Sequence, residues 1–162
     1  MTMNTLDSDL TKASTKTAKK FDENRIFVIP YPNRYHPGLA KEIGLHESLL
    51  LLQIEFWTSI SKHPRHNGYR WTYASVTGIQ KALFPFLNEK TIRKVIKKLQ
   101  SRNLILTGNF NKKGYDKTRW YAINVPEVAK LKSIAVYPEI LSEYGILEAE
   151  TLDVIEEEEL PW

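Results

Sequence analysis

The chain contains no cysteine, which excludes disulfides and thiolate metal sites and suits a reducing compartment. Long apolar runs are also missing. The longest are Ile26 to Tyr31, Leu49 to Leu52 and Ala82 to Leu87, and two of these contain proline. None approaches the twenty or so apolar residues of a membrane helix. Residues 1–20 are rich in Thr, Ser and Lys and have no apolar stretch, so a signal peptide is not expected. The expected setting is the cytoplasm. Residues that would signal catalysis are scarce. Four histidines (His36, His46, His63, His66) stand in loops or at helix edges, His63 and His66 have no carboxylate or thiol nearby at ligand spacing, and no phosphate-cradling glycine loop or nucleophile elbow occurs. Neither an enzyme nor a cofactor is expected. Lys and Arg, finally, are absent after residue 132.

That last absence points to what is present. Residues 1–132 hold all 23 Lys and Arg against 10 acidic residues, a balance of +13, while residues 133–162 hold 9 acidic residues, so the net +4 is a sum of opposites. A basic body suits a polyanion; an acidic tail suits a basic partner, or the chain's own body.

Residues 1–22 offer little to bury and read as a flexible arm. Arg25 to Tyr31 is a short strand-like run, and a brief helical turn is expected over Leu39–Ile43. Leu50, Ile54, Trp57 and Ile60 mark a strong helix over Glu47–Ser61, broadened by Leu49, Leu51, Leu52 and Phe56. A polar basic loop follows, with a turn signal at Asn67-Gly68, then a short strand at Arg70–Tyr73. Ser75 can cap a helix over Val76–Leu83, which Phe84-Pro85-Phe86-Leu87 breaks. Asn88 can cap another, from Glu89 to about Arg102. Strands at Leu104–Thr107 and Thr118–Ile123 enclose a Gly/Asn/Lys-rich turn, and short helices are expected at Pro126–Leu131 and Pro138–Leu141.

Helix, strand, helix, turn, helix, strand, basic turn and strand is the order of a winged helix-turn-helix. The expected fold is therefore α+β, mainly α with a small β-hairpin. It occupies residues 23–132, between the arm and an acidic tail over residues 133–162.

The third helix of that series carries the functional reading. At 100° per residue, Ile92, Val95, Ile96 and Leu99 share one face, while Lys90, Lys94, Lys97 and Ser101 lie opposite and Arg93 and Lys98 flank them. Five of the nine residues from Lys90 to Lys98 are basic. Entering a major groove N-terminus first, such a helix brings Asn88, Lys90, Thr91 and Lys94 nearest the base edges, with Lys97 and Lys98 on phosphate. A Lys-rich outer face also serves to keep a core helix soluble, but here the neighbouring elements agree with the DNA reading. In the hairpin, Lys112, Lys113, Lys117 and Arg119 alternate with Gly108, Asn109, Asn111 and Gly114 against one Asp116, a composition suited to a minor groove or a phosphate run. Lys62, His63, Arg65, His66 and Arg70 are candidates for a third contact. Five or six phosphate contacts imply a log–log salt slope of about −5. Tyr115, Trp120 and Tyr121 are candidates for stacking on unpaired bases, although core packing is the better reading of aromatics at strand spacing.

Glu47–Val125 resembles the winged-helix domain of replication-initiation proteins of phages and plasmids of Gram-positive bacteria, a group akin to the N-terminal domain of primosome-initiation proteins. LLLLQIEFW (Leu49–Trp57), the FPF turn (Phe84–Phe86), TIRKVIKKLQSRNLI (Thr91–Ile105) and GNFNKKGYDKTRWYAI (Gly108–Ile123) carry the resemblance over about half the chain. The end of the chain, Glu156-Glu157-Glu158-Glu159-Leu160-Pro161-Trp162, is similar to the acidic tip of bacterial single-stranded DNA-binding proteins, with Glu for Asp and Trp for Phe. In that family the tip's aromatic and terminal carboxylate enter an apolar pocket with a basic rim on replication and repair enzymes. Trp162 offers apolar area, Pro161 an extended backbone, and the four glutamates electrostatic steering. Together the resemblances imply a DNA-binding accessory replication protein of a mobile element that recruits host replication or repair proteins. A winged-helix transcriptional regulator, and an interaction module that mimics the single-strand-binding tip, are the alternatives.

Overall fold

A short helix capped by His36 leads into the body of the protein in the computed structural model, which describes Ile26 and residues 33–146. The His36 ring nitrogen Nδ1 accepts the Leu39 amide at 2.9 Å, and Pro37 at the first helical position starts helix α1 (Pro37–Ile43). Gly44 ends α1 and begins helix α2 (Leu45–Ile60) with φ 108° and ψ 151°. These angles belong to glycine alone, and a Cβ at that position would collide with the Glu47 carboxylate.

Leu50, Leu51, Ile54 and Thr58 form the buried face of α2, with Trp57 partly buried at its margin. Ile60, expected in this stripe, is 60% exposed. At 100° per residue it lies about 120° around the helix from Ile54, beyond the edge of the buried face. Ser61 then donates its hydroxyl to the Trp71 carbonyl (2.7 Å), and Asn67 (φ 54°) and Gly68 (φ 80°) make the tight reversal between them.

Strand β1 (Thr72–Ala74) leads to helix α3 (Val76–Leu83), where the Ser75 hydroxyl accepts the Gly78 amide at 3.0 Å. Phe84 is fully buried after α3, and Gln80 clamps the following turn by donating to the Leu87 carbonyl (2.7 Å). Helix α4 (Glu89–Ser101) begins at Asn88, whose side-chain oxygen accepts the Thr91 amide. It buries Ile92, Val95, Ile96 and Leu99, the four residues its periodicity places on one face. Asn103, at φ 55°, closes α4: its amide donates to Gln100 and that of Leu104 to Leu99, the paired bonds of a Schellman cap with Asn in the usual glycine position.

Strands β2 (Ile105–Gly108) and β3 (Arg119–Ile123) complete an antiparallel sheet of order β1-β3-β2. The expected small hairpin is thus part of a three-stranded sheet, since β1 pairs with β3 at Tyr73↔Trp120. The extended run expected at Arg70–Tyr73 is found at Thr72–Ala74, where that partner fixes the register. Both faces of the sheet are covered. Tyr121 packs into the helical core, while Trp120 and Ala122 join Trp71 in a second cluster lined by Tyr69, Leu106 and Phe110.

Helix α5 (Val125–Val128) and helix α6 (Pro138–Glu143) follow. The segment between them is anchored, because the Lys132 and Ser133 amides both donate to the Glu42 carboxylate at 2.9 Å and Ile134 and Val136 pack on the core. Residue 133, where composition starts the tail, therefore sits inside the packed segment. Residues 1–22 and the tip at Glu156–Trp162 lie outside the described residues.

Candidate nucleic-acid interface

The amphipathic pattern of α4 leaves Lys90, Arg93, Lys94, Lys97 and Lys98 on its exposed side. Their surroundings differ. Glu89 and Arg93 form an i,i+4 pair at 3.4 Å, and the Thr77 hydroxyl donates to the second Glu89 oxygen at 2.9 Å, tying α3 to α4. Lys98 reaches sideways to Glu47 on α2 at 3.2 Å. Glu47 is nearly buried, so Lys98 balances a desolvated carboxylate as well as adding charge to the surface. Among the described residues, Lys90, Lys94 and Lys97 have no ion-pair partner. Asn88 commits its side-chain oxygen to the cap, which leaves only its amino group to reach outward, and Thr91 is half-buried beside it.

Residues 109–118 form the connection between β2 and β3, and Asn111 organises it. Its Nδ2 donates to the carbonyls of Asp116 (2.9 Å) and Thr118 (2.8 Å), and its Oδ1 accepts the indole N–H of Trp120 at 2.7 Å. The Thr118 amide, the Thr118 hydroxyl and the nearby Lys113 hold the Asp116 carboxyl below the usual carboxylate range. An exposed turn is thereby fixed to a buried tryptophan, and the lysines along it start from a defined backbone.

A groove of about 700 Å³ runs between α4 and this hairpin. Arg93, Lys97 and Gln100 line one side, Lys117, Thr118 and Arg119 the other, with Ser75 and Thr77 at one end. Four cations from two separate segments meet there against Glu89 alone. Gln100 holds the two sides together by donating to the Thr107 hydroxyl at 3.1 Å. On the groove wall burial pushes the Tyr121 phenol above its ordinary range, against the pull of Arg119 and Arg93. Lys90 and Lys94 continue the positive surface along α4, and Lys112 and Lys113 along the hairpin, without lining the groove.

The loop before β1 has mainly structural contacts. Arg65 and Arg70 share Glu143 of α6 at 3.1 and 3.8 Å. The His66 ring stacks on Phe110 at 4.0 Å, and His63 meets the Trp120 ring edge-on at 4.8 Å. Four of the five side chains considered for a third contact are thus engaged within the protein. The roles of Asn111, Thr77 and Glu47 were not anticipated from the sequence. Asn111 alone left a trace there, as a turn-forming residue nine positions before a tryptophan in a basic segment.

No family model, curated protein or solved structure matches this chain.

Proposed function

We propose that the body is a winged helix-turn-helix that binds duplex DNA, with α4 in the major groove and the β2–β3 hairpin as the wing. The observation that carries this reading is the groove in which Arg93 and Lys97 of α4 face Lys117 and Arg119 of the hairpin. Residues with no sequence proximity form one cationic surface, and the N-terminal half of α4 extends it with two lysines that have no acidic partner among the described residues. A solubilising role for the lysines gives no reason for the hairpin's cations to converge on the same groove. The sheet order β1-β3-β2 and the tight turn between α3 and α4 support the same assignment.

We further propose, from the sequence resemblances, that the protein is an accessory replication factor of a phage or other mobile element. In this reading Glu156–Glu159, Leu160, Pro161 and Trp162 recruit a host replication or repair protein. The test combines a salt titration of duplex binding with a deletion of the tip. Replacing Lys90, Lys94 and Lys97 together by Ala is expected to weaken duplex binding and flatten the log–log salt slope by about 3. Deleting Leu160–Trp162 is expected to leave duplex binding unchanged and abolish binding to a host enzyme that recognises single-strand-binding tips. An unchanged slope in the triple variant refutes the DNA interface; undiminished enzyme binding by the deletion variant refutes the recruitment role.

A further inference from the structure

Four aromatic residues lie in or beside the hairpin, and their environments separate them: Phe110 stacks on His66 and lines the second cluster. Tyr121 is 2% exposed within the helical core, and Trp120 is 8% exposed in the second cluster with its indole N–H bonded to Asn111. Tyr115 is 77% exposed. It occupies the third position of a tight turn in the β2–β3 connection that the Asp116 amide closes on the Lys113 carbonyl at 3.0 Å. Gly114 beside it stands in open space, where an added Cβ would meet nothing within 4 Å.

Two lysines lie close to this ring. The Lys113 ammonium lies 5.7 Å from the ring centroid, and the Lys117 ammonium donates to the Gly114 carbonyl at 3.3 Å, which brings it to the same turn. Lys112 is exposed next to them. Asp116, the acidic neighbour, turns its Oδ1 inward to the Thr118 amide. Flanked by lysines on a turn that Asn111 fixes, the Tyr115 ring is preorganised for a ligand that presents a flat π-face and negative charge together. A nucleobase with its flanking phosphates is such a ligand, but inside a duplex both base faces are already stacked. An unpaired base has a face to offer.

We infer that the hairpin tip is a stacking site for an unpaired nucleobase, with Tyr115 supplying the ring and Lys112, Lys113 and Lys117 the contacts to adjacent phosphates. This rests on the duplex reading above and adds to it a preference for duplex that borders a single strand, such as an opened or tailed end. α4 holds the paired part while the tip takes the first unpaired nucleotide.

The experiment is a fluorescence anisotropy titration of the full chain on a blunt duplex and on the same duplex with a single-stranded extension, with 2-aminopurine placed at the junction in a parallel set. Wild type is expected to bind the tailed duplex more tightly and to quench the 2-aminopurine. Tyr115→Ala is expected to lose about 5- to 150-fold on the tailed duplex, the equivalent of about 1–3 kcal/mol for one stacked base, and to keep its affinity for the blunt one. Tyr115→Phe is expected to behave as wild type, because stacking does not need the hydroxyl. Equal losses on both substrates, no loss on either, or a phenylalanine variant as weak as alanine each overturn the stacking site. The Lys90/Lys94/Lys97 variant tests the duplex reading separately on the blunt substrate, so failure of the stacking site is distinguished from failure of the duplex reading.

Discussion

Lys98 illustrates how a side chain acquires a role that its type does not announce. It shares the exposed side of α4 with Lys94, yet its ammonium sits 3.2 Å from Glu47, whose side chain is only 8% exposed. Lys94 has no such partner among the described residues. Lys98→Met therefore leaves a buried carboxylate uncompensated, whereas Lys94→Ala removes only surface charge. Because the Lys98 side chain is itself 71% exposed, solvent screens the pair, and the expected cost is about 1 kcal/mol, at the low end for a half-buried ion pair. Denaturant titration should show a lowered midpoint for Lys98→Met, an unchanged one for Lys94→Ala, and recovery when Glu47→Gln is added to the former. Duplex affinity should order the two single variants the other way. A Lys94→Ala protein less stable than Lys98→Met refutes this division of labour.

At the scale of elements, α4 was legible because everything that shapes it is local. Isoleucine, valine and leucine recur at helical spacing, Asn88 stands one residue before the start, and Asn103 stands after the end. The pairing of β1 with β3 was not legible, since Tyr73 and Trp120 are 47 positions apart and neither strand's composition names its partner. The second aromatic cluster escaped for the same reason, as Trp71, Phe110 and Trp120 come from three segments. The cationic face of α4 could thus be read in advance. A shared cationic surface with the hairpin's lysines was expected from the element order; the groove itself, with Arg93 and Lys97 opposite Lys117 and Arg119, was not, because it depends on sheet order. Gly44 gives a test at this scale. A single residue joins α1 to α2 there, at angles closed to other amino acids and against the Glu47 carboxylate. Gly44→Ala is expected to destabilise the fold by about 1–3 kcal/mol, read as a lower thermal midpoint. A variant as stable as wild type would mean that the joint tolerates a Cβ.

Across the whole molecule, the segment after α5 is held to α1 through Glu42, whose contacts span 90 and 91 positions. The Ser133 hydroxyl beside it, the Lys132 amide and the Ser133 amide hold the Glu42 carboxyl below the usual carboxylate range. Among the described residues that hydroxyl has no well-aligned hydrogen-bond partner, so the two amides are the anchor. A carboxyl whose folded pKa lies below its unfolded value contributes fully above the unfolded value, and the contribution is lost as pH falls through the folded one. At neutral pH the anchor is intact. Under acid conditions, below the ordinary glutamate range, hydrogen exchange at Lys132 and Ser133 is expected to accelerate relative to the α4 amides, after correction for intrinsic rates. Glu42→Gln should weaken protection at neutral pH and remove its acid dependence. Acid-insensitive protection in wild type would show that the apolar contacts of Ile134 and Val136 suffice.

The bond between Asn111 and the Trp120 indole has an optical consequence. Trp120 and Trp71 share an apolar cluster, and Trp120 is bonded through Asn111 to the turn that carries Lys112, Lys113 and Tyr115. Prying that turn from the sheet would wet an indole and shift its emission to longer wavelength. The protein thus contains its own gauge of hairpin movement, readable without a dye wherever something grips or releases the tip.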